Sequence, residues 1–127
     1  MKTNFILYVK DQKKSSDFYK DILGVDPILD VPGMTEFKLG EGFILGLMPE
    51  TGIKSILGDS IDDPEESNGI SRCELYFTVD NPRLYIDRAQ LSGAIILSRL
   101  ENRNWGDEAG YIKDIDGHVI AFARKIN

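Results

Sequence analysis

The chain has 127 residues, of which 42% are hydrophobic and 28% charged, and its 15 Lys and Arg against 21 Asp and Glu give a net charge of -6. That is enough for one domain with a real core, or for two half-domains sharing one, and nothing in the composition suggests disorder. The basic residues are scattered rather than gathered in a stripe, so nucleic acid is excluded as a partner, whereas an acidic body suits a cationic ligand.

The N-terminal segment NFILYVKD (residues 4–11) alternates in the manner of a strand, with Phe5, Leu7 and Val9 on one face and Asn4, Ile6 and Tyr8 on the other. Asp11 suits a helix cap, Phe18, Tyr19 and Ile22 supply an apolar helix face, and Gly24 supplies a left-handed stop. Pro32 and Gly33 then separate the strands ILDV and MTEFKL, and Gly42 turns the chain into FILGL. Residues 50–71 are acidic and rich in turn formers, and they read as a linker or flap with a short helix near residues 53–57.

A second strand of the same kind follows, ELYFTVDN (residues 74–81), with Leu75, Phe77 and Val79 against Glu74, Tyr76 and Thr78. Asn81 and Pro82 suit a helix start, Tyr85, Ile86 and Ala89 form its apolar face, and Gly93 ends it. The strand AIIL, a loop RLENRNWGDE (residues 99–108), the strand AGYIK and the turn DIDGH lead into a last strand, VIAFAR. Laid over the first half, Gly117 matches Gly42, Ala121 matches Gly46 and Phe122 matches Leu47. The expected organisation is one α+β domain over residues 1–127, made of two βαβββ modules (residues 1–49 and 72–127) joined by the linker at 50–71.

Cys73 is the only cysteine, so no internal disulfide can form. It has one histidine in the chain to pair with, on a distant hairpin, and is expected to be a buried hydrophobe rather than a nucleophile. No N-terminal apolar stretch reads as a signal peptide, and no apolar run approaches the roughly 20 residues that span a bilayer. A cytoplasmic protein with no membrane contact is expected. The turn DIDGH fails as a calcium loop, because Val119 stands where the sharp-turn glycine belongs and Lys125 where the bidentate Glu belongs. GEG and DIDG both lie between strands, so neither is a phosphate-cradling loop, and nucleotide cofactors are not indicated.

The doubled pattern, with FYKDILG at the first helix end and WG ahead of a YxxDxDGHxI ending, resembles the vicinal oxygen chelate superfamily, which includes glyoxalase I, extradiol dioxygenases, and fosfomycin- and bleomycin-resistance proteins. The resemblance spans residues 4–124 and is weakest in the linker. It implies glyoxalase-type curved mixed sheets, with helices outside and a ligand cavity inside. It also implies a divalent metal held from the first and last strands of each module, and those positions are Asn4, Gly46, Glu74 and Ala121. Two of them carry no ligand atom, so no metal and no other cofactor is expected. His118 falls at a hairpin rim, where relatives often carry an unused histidine.

Small residues at Gly46 and Ala121 would leave open space on the cavity floor, bordered by Tyr8, Tyr76 and Trp105, whose flat faces and polar tips suit an organic ligand. The expected site is therefore Asn4, Ile6, Tyr8, Gly46, Glu74, Tyr76, Trp105 and Ala121. The loss of metal ligands resembles the bleomycin-resistance branch, metal-free proteins that bind a drug at a homodimer interface, and implies a homodimer here. The alternative is an enzyme of the same superfamily: a metal-dependent lyase or dioxygenase with an atypical site, or an isomerase with Glu74 as general base.

Overall fold

In the computed structural model residues 1–126 are described, and the last residue of the expected second module, Asn127, lies outside them. In chain order the elements are β1 (Thr3–Val9), α1 (Gln12–Leu23), β2 (Leu29–Val31), β3 (Met34–Gly40), β4 (Phe43–Pro49), α2 (Glu50–Leu57), β5 (Glu74–Thr78), α3 (Pro82–Leu91), β6 (Ile95–Asn102), β7 (Asp107–Lys113) and β8 (Val119–Lys125). The strands form two four-stranded mixed sheets of identical topology, β1-β4-β3-β2 and β5-β8-β7-β6, as the α+β doubled βαβββ reading requires. Register repeats along with topology: Asn4 lies opposite Ile44 in the parallel pair β1–β4, and Glu74 opposite Val119 in β5–β8. The chain divides into two compact units, Met1–Lys20 with Gly24–Asn68, and Asp21–Leu23 with the chain from Gly69 onward. Among the described residues no helix is long and apolar enough to cross a membrane.

In the first unit, Leu7 and Val9 are buried while Asn4, Ile6 and Tyr8 are exposed, the alternation expected of β1. The buried face continues in register through Leu47 and Thr35, and through Leu45 and Phe37. Phe18 and Tyr19 of α1 are also buried. Each large apolar side chain so enclosed contributes about 1.5 to 3 kcal/mol. The Asp11 carboxylate accepts the Lys14 N–H at 3.0 Å, and Gly24, at φ 69°, donates its N–H to the Lys20 carbonyl. Gln12 ties the start of α1 to the β2–β3 hairpin: its amide donates to Val31 O at 2.8 Å and to Thr35 Oγ1 at 2.9 Å, and accepts the Gly33 N–H at 2.9 Å.

The segment after β4 opens with α2, which starts at Glu50, earlier than the short helix expected at residues 53–57. Ile53 is its buried residue, and Lys54 Nζ donates to Gly58 O at 2.8 Å and Ile61 O at 2.7 Å, satisfying carbonyls beyond the helix end. Two short 3-10 turns, Gly58–Ser60 and Pro64–Ser67, follow.

In the second unit α3 packs on the face of β6, β7 and β8 that holds Phe122. The Phe122 ring stacks with Phe77 at 5.5 Å and with Tyr85 at 5.0 Å. Gly110, opposite Phe122, lies beneath Ile86: a Cβ there would meet Ile86 Cδ1 at 2.5 Å and the Leu100 backbone nitrogen at 3.2 Å. Gly42 and Gly117 both turn hairpins with positive φ, 73° and 99°, as their matching positions suggest. The buried Asp114 carboxylate accepts the N–H groups of Asp116 at 2.9 Å and His118 at 2.8 Å, so DIDGH is an Asx-type turn.

Three local expectations are corrected, whereas Gly93, just past the Ser92 cap, ends α3 at φ 102° as expected. Pro82 does open α3, but the Asn81 side chain does not cap it; the Asn81 backbone carbonyl takes the Leu84 N–H at 3.2 Å instead. Cys73 is exposed rather than buried, because it precedes β5 and never enters the packed strand. The loop expected over residues 99–108 is shorter, since β6 runs to Asn102 and β7 begins at Asp107. Two register shifts in β6 absorb the polar residues, and Arg103 fastens the turn by donating to Ala109 O at 3.0 and 2.9 Å, Arg99 O at 2.8 Å and Ser98 Oγ at 2.8 Å.

Candidate ligand face

The eight expected site residues divide evenly between the units. In the first, Asn4, Ile6 and Tyr8 share the face of β1 that is not buried with Leu7, and Gly46 lies opposite Ile6. The Asn4 amide donates to Glu36 Oε2 at 3.1 Å. Gly46 is buried, and the space that a ligand-bearing side chain would need is taken: a Cβ there would meet Ile6 Cγ1 at 3.1 Å and Met34 Sδ at 3.2 Å. The open floor expected at Gly46 is thus filled by its neighbours.

In the second unit Glu74, Tyr76 and Thr78 project from the face of β5 opposite Leu75 and Phe77, and all three are exposed. Tyr76, Ala121 and Tyr111 share one row of the sheet, and Thr78, Ala123 and Ala109 the next. Ala109, Ala121 and Ala123 are fully buried, so this stretch of sheet is lined by methyl groups between tyrosines. The Arg103 guanidinium lies over the Tyr111 ring at 5.3 Å and pairs with Glu101 at 3.2 Å.

The most organised feature of this face joins the turn to β5. The Tyr76 hydroxyl donates to Asp107 Oδ2 at 2.6 Å and accepts the Trp105 indole N–H at 3.0 Å. Desolvation of the hydroxyl where it meets Asp107 and Trp105, and next the bond donated to Asp107, push the Tyr76 phenol above its ordinary pKa, while the bond from Trp105 acts in the opposite sense. Asp107 is only 9% exposed, whereas Trp105 is 53% exposed. Asp107 is the residue that sequence reasoning missed. A lone Asp at the end of a loop has no periodic signature, and its partner Tyr76 is distant in the chain.

The residues present do not fit the superfamily's metal. Gly46 and Ala121 offer no donor, the Asn4 amide is a poor one, and Glu74 is left as the single carboxylate. Among the described residues no three His, Cys, Asp or Glu side chains group to hold an ion.

Two four-stranded mixed sheets of this repeated topology, each built by a βαβββ module, define the glyoxalase and bleomycin-resistance type of fold of the vicinal oxygen chelate superfamily. A model of the glyoxalase-like domain matches residues 2–127, and the chain belongs to that family. A glyoxalase-related enzyme from Fulvimarina pelagi superposes with a TM-score of 0.83 at 19% identity, covering 98% of this chain and 88% of that one. A glyoxalase/bleomycin resistance protein/dioxygenase family enzyme from Burkholderia phytofirmans gives 0.81 at 13% identity, covering 97% of both chains. A glyoxalase/bleomycin resistance protein/dioxygenase from Nocardioides gives 0.75 at 20% identity, covering 100% of this chain and 84% of that one. At these identities the likeness is one of fold. No curated protein matches the chain in sequence.

Proposed function

We propose that this protein binds a small organic ligand without a metal, on the sheet face that carries Glu74, Tyr76 and Trp105, and that it works as a cytoplasmic homodimer. The observation that carries the reading is the fate of the metal positions. At the positions where the resemblance implies metal ligands this chain has Gly46, hemmed in by Ile6 and Met34, and Ala121, buried in the row between Tyr76 and Tyr111. What the face does offer is aromatic surface beside acids. Trp105 is exposed, and among the described residues neither Glu74 nor Asp107 takes part in an ion pair. That combination favours an organic cation or a hydrogen-bond donor over a metal chelate.

Thermal-shift titration of chelator-stripped protein against small organic cations and neutral aromatics tests the proposal. Saturable stabilisation is expected, unchanged by added nickel, zinc or manganese. Stabilisation that appears only with a metal, or with no compound at all, contradicts it.

A further inference from the structure

The aromatic groups on the second sheet's ligand face are not equivalent. The Tyr111 ring is already covered by the Arg103 guanidinium at 5.3 Å. The Tyr76 hydroxyl is committed twice, to Asp107 at 2.6 Å and to Trp105 at 3.0 Å. Trp105 alone combines a fixed edge with a free face: its one polar atom is spent on Tyr76, yet 53% of the residue is exposed. An indole in a four-residue turn would ordinarily sample several rotamers, and ordering it on binding would cost affinity. Here that ordering precedes the ligand.

We infer that Tyr76 and Asp107 are positioning residues that hold the Trp105 indole by its N–H, and that the ring face so presented is a stacking platform for a planar, positively charged heteroaromatic ligand. This rests on the ligand-binding reading of the same face. A planar ligand follows from the indole, which with its N–H occupied offers π surface and no hydrogen bond. A cation follows from the electrostatics. An electron-rich indole face attracts positive charge, and the carboxylates of Glu101 and Glu108 are matched by Arg103 and Arg124, while those of Glu74 and Asp107 are in no ion pair among the described residues. Lys125, opposite Asp107 in the β7–β8 register, is exposed and forms no ion pair with it.

Trp105 is the only tryptophan, so its emission reports the platform directly. The probes are N-methylquinolinium and the neutral isostere quinoline, titrated by fluorescence quenching and by calorimetry. The cation is expected to quench saturably and to bind about tenfold more tightly than quinoline. Tyr76→Phe keeps the ring and removes both hydrogen bonds. It is expected to red-shift the Trp105 emission, lower its anisotropy and weaken the cation about fivefold, while the circular dichroism spectrum stays native. Asp107→Asn keeps an acceptor for the Tyr76 hydroxyl, so the emission should stay near wild type while the preference for the cation falls. In calorimetry Trp105→Ala should lose the cation by more than about tenfold.

Unchanged emission and affinity in Tyr76→Phe would overturn the positioning role. Equal affinity for the two probes would overturn the charge preference. Undiminished binding in Trp105→Ala would overturn the platform. If neither probe binds while other compounds raise the melting temperature, the platform is wrong and the ligand-binding reading stands; if nothing binds in either assay, both fall.

Discussion

Gly110→Ala tests the packing of α3 on the second sheet most sharply. The added methyl would lie 2.5 Å from Ile86 Cδ1, about 1 Å inside the usual carbon contact, and 3.2 Å from the Leu100 backbone nitrogen and Cα. The Ile86 tip can rotate away, but the Leu100 backbone can yield only if β6 shifts. Overpacking of this kind costs about 2 to 3 kcal/mol, reduced by about 0.5 kcal/mol because alanine restricts the unfolded chain. The net loss of about 2 kcal/mol corresponds to about 8 °C in melting temperature for a domain of this size. Ile86→Val removes Cδ1 and by itself costs about 1 kcal/mol. In the double variant the two changes should therefore be less than additive by about 1 kcal/mol. Urea unfolding followed by circular dichroism measures all three. A neutral Gly110→Ala, or strictly additive losses, would refute the helix placement.

Two other glycines separate backbone strain from crowding. Gly33→Ala, at φ 97° with nothing within 4 Å, should lose about 1 kcal/mol of stability, whereas Gly117→Ala, at φ 99° with the Gly69 carbonyl oxygen 2.6 Å from the new methyl, should lose at least about 2 kcal/mol more; thermal denaturation ranks them. Gln12→Ala removes three hydrogen bonds between α1 and the β2–β3 turn, and should speed exchange of the Gly33 amide while costing about 1 to 2 kcal/mol. The Tyr76 phenol lies above its ordinary value of 10.0, so the fold favours its protonated form. That contribution is complete below pH 10.0 and is lost as pH climbs through the raised value; stability should fall across that alkaline range, and the fall should be shallower in Tyr76→Phe. Ultraviolet titration of the five tyrosines should show Tyr76 ionising late, and its ionisation with the others would contradict the hydrogen-bonded geometry.

The fold was legible because its determinants are local and repeat. Alternation in NFILYVKD and ELYFTVDN separates the two faces of β1 and β5, and burial follows that division at Leu7, Val9 and Leu75 against Tyr8 and Tyr76. Gly24, Gly42 and Gly117 stand at left-handed positions that other residues adopt at a cost, which is why they mark ends and turns so plainly. What escaped depends on distant partners. Nothing near Asn81 says that its backbone rather than its side chain will serve Leu84, and nothing near Asp107 points to Tyr76. Gly46 misled for a related reason. An absent side chain reads as open space, yet Ile6 and Met34 from neighbouring strands take it up. Arg103 was equally silent, because its role lies in carbonyls of the strands that flank it.

The metal content of the protein bears most directly on the central claim. Elemental analysis of material purified without chelator should find no nickel, zinc, iron or manganese near one equivalent per chain. A stoichiometric ion that disappears in Glu74→Ala would show that the missing donors at Gly46 and Ala121 had been replaced from elsewhere, and the metal-free account would be wrong.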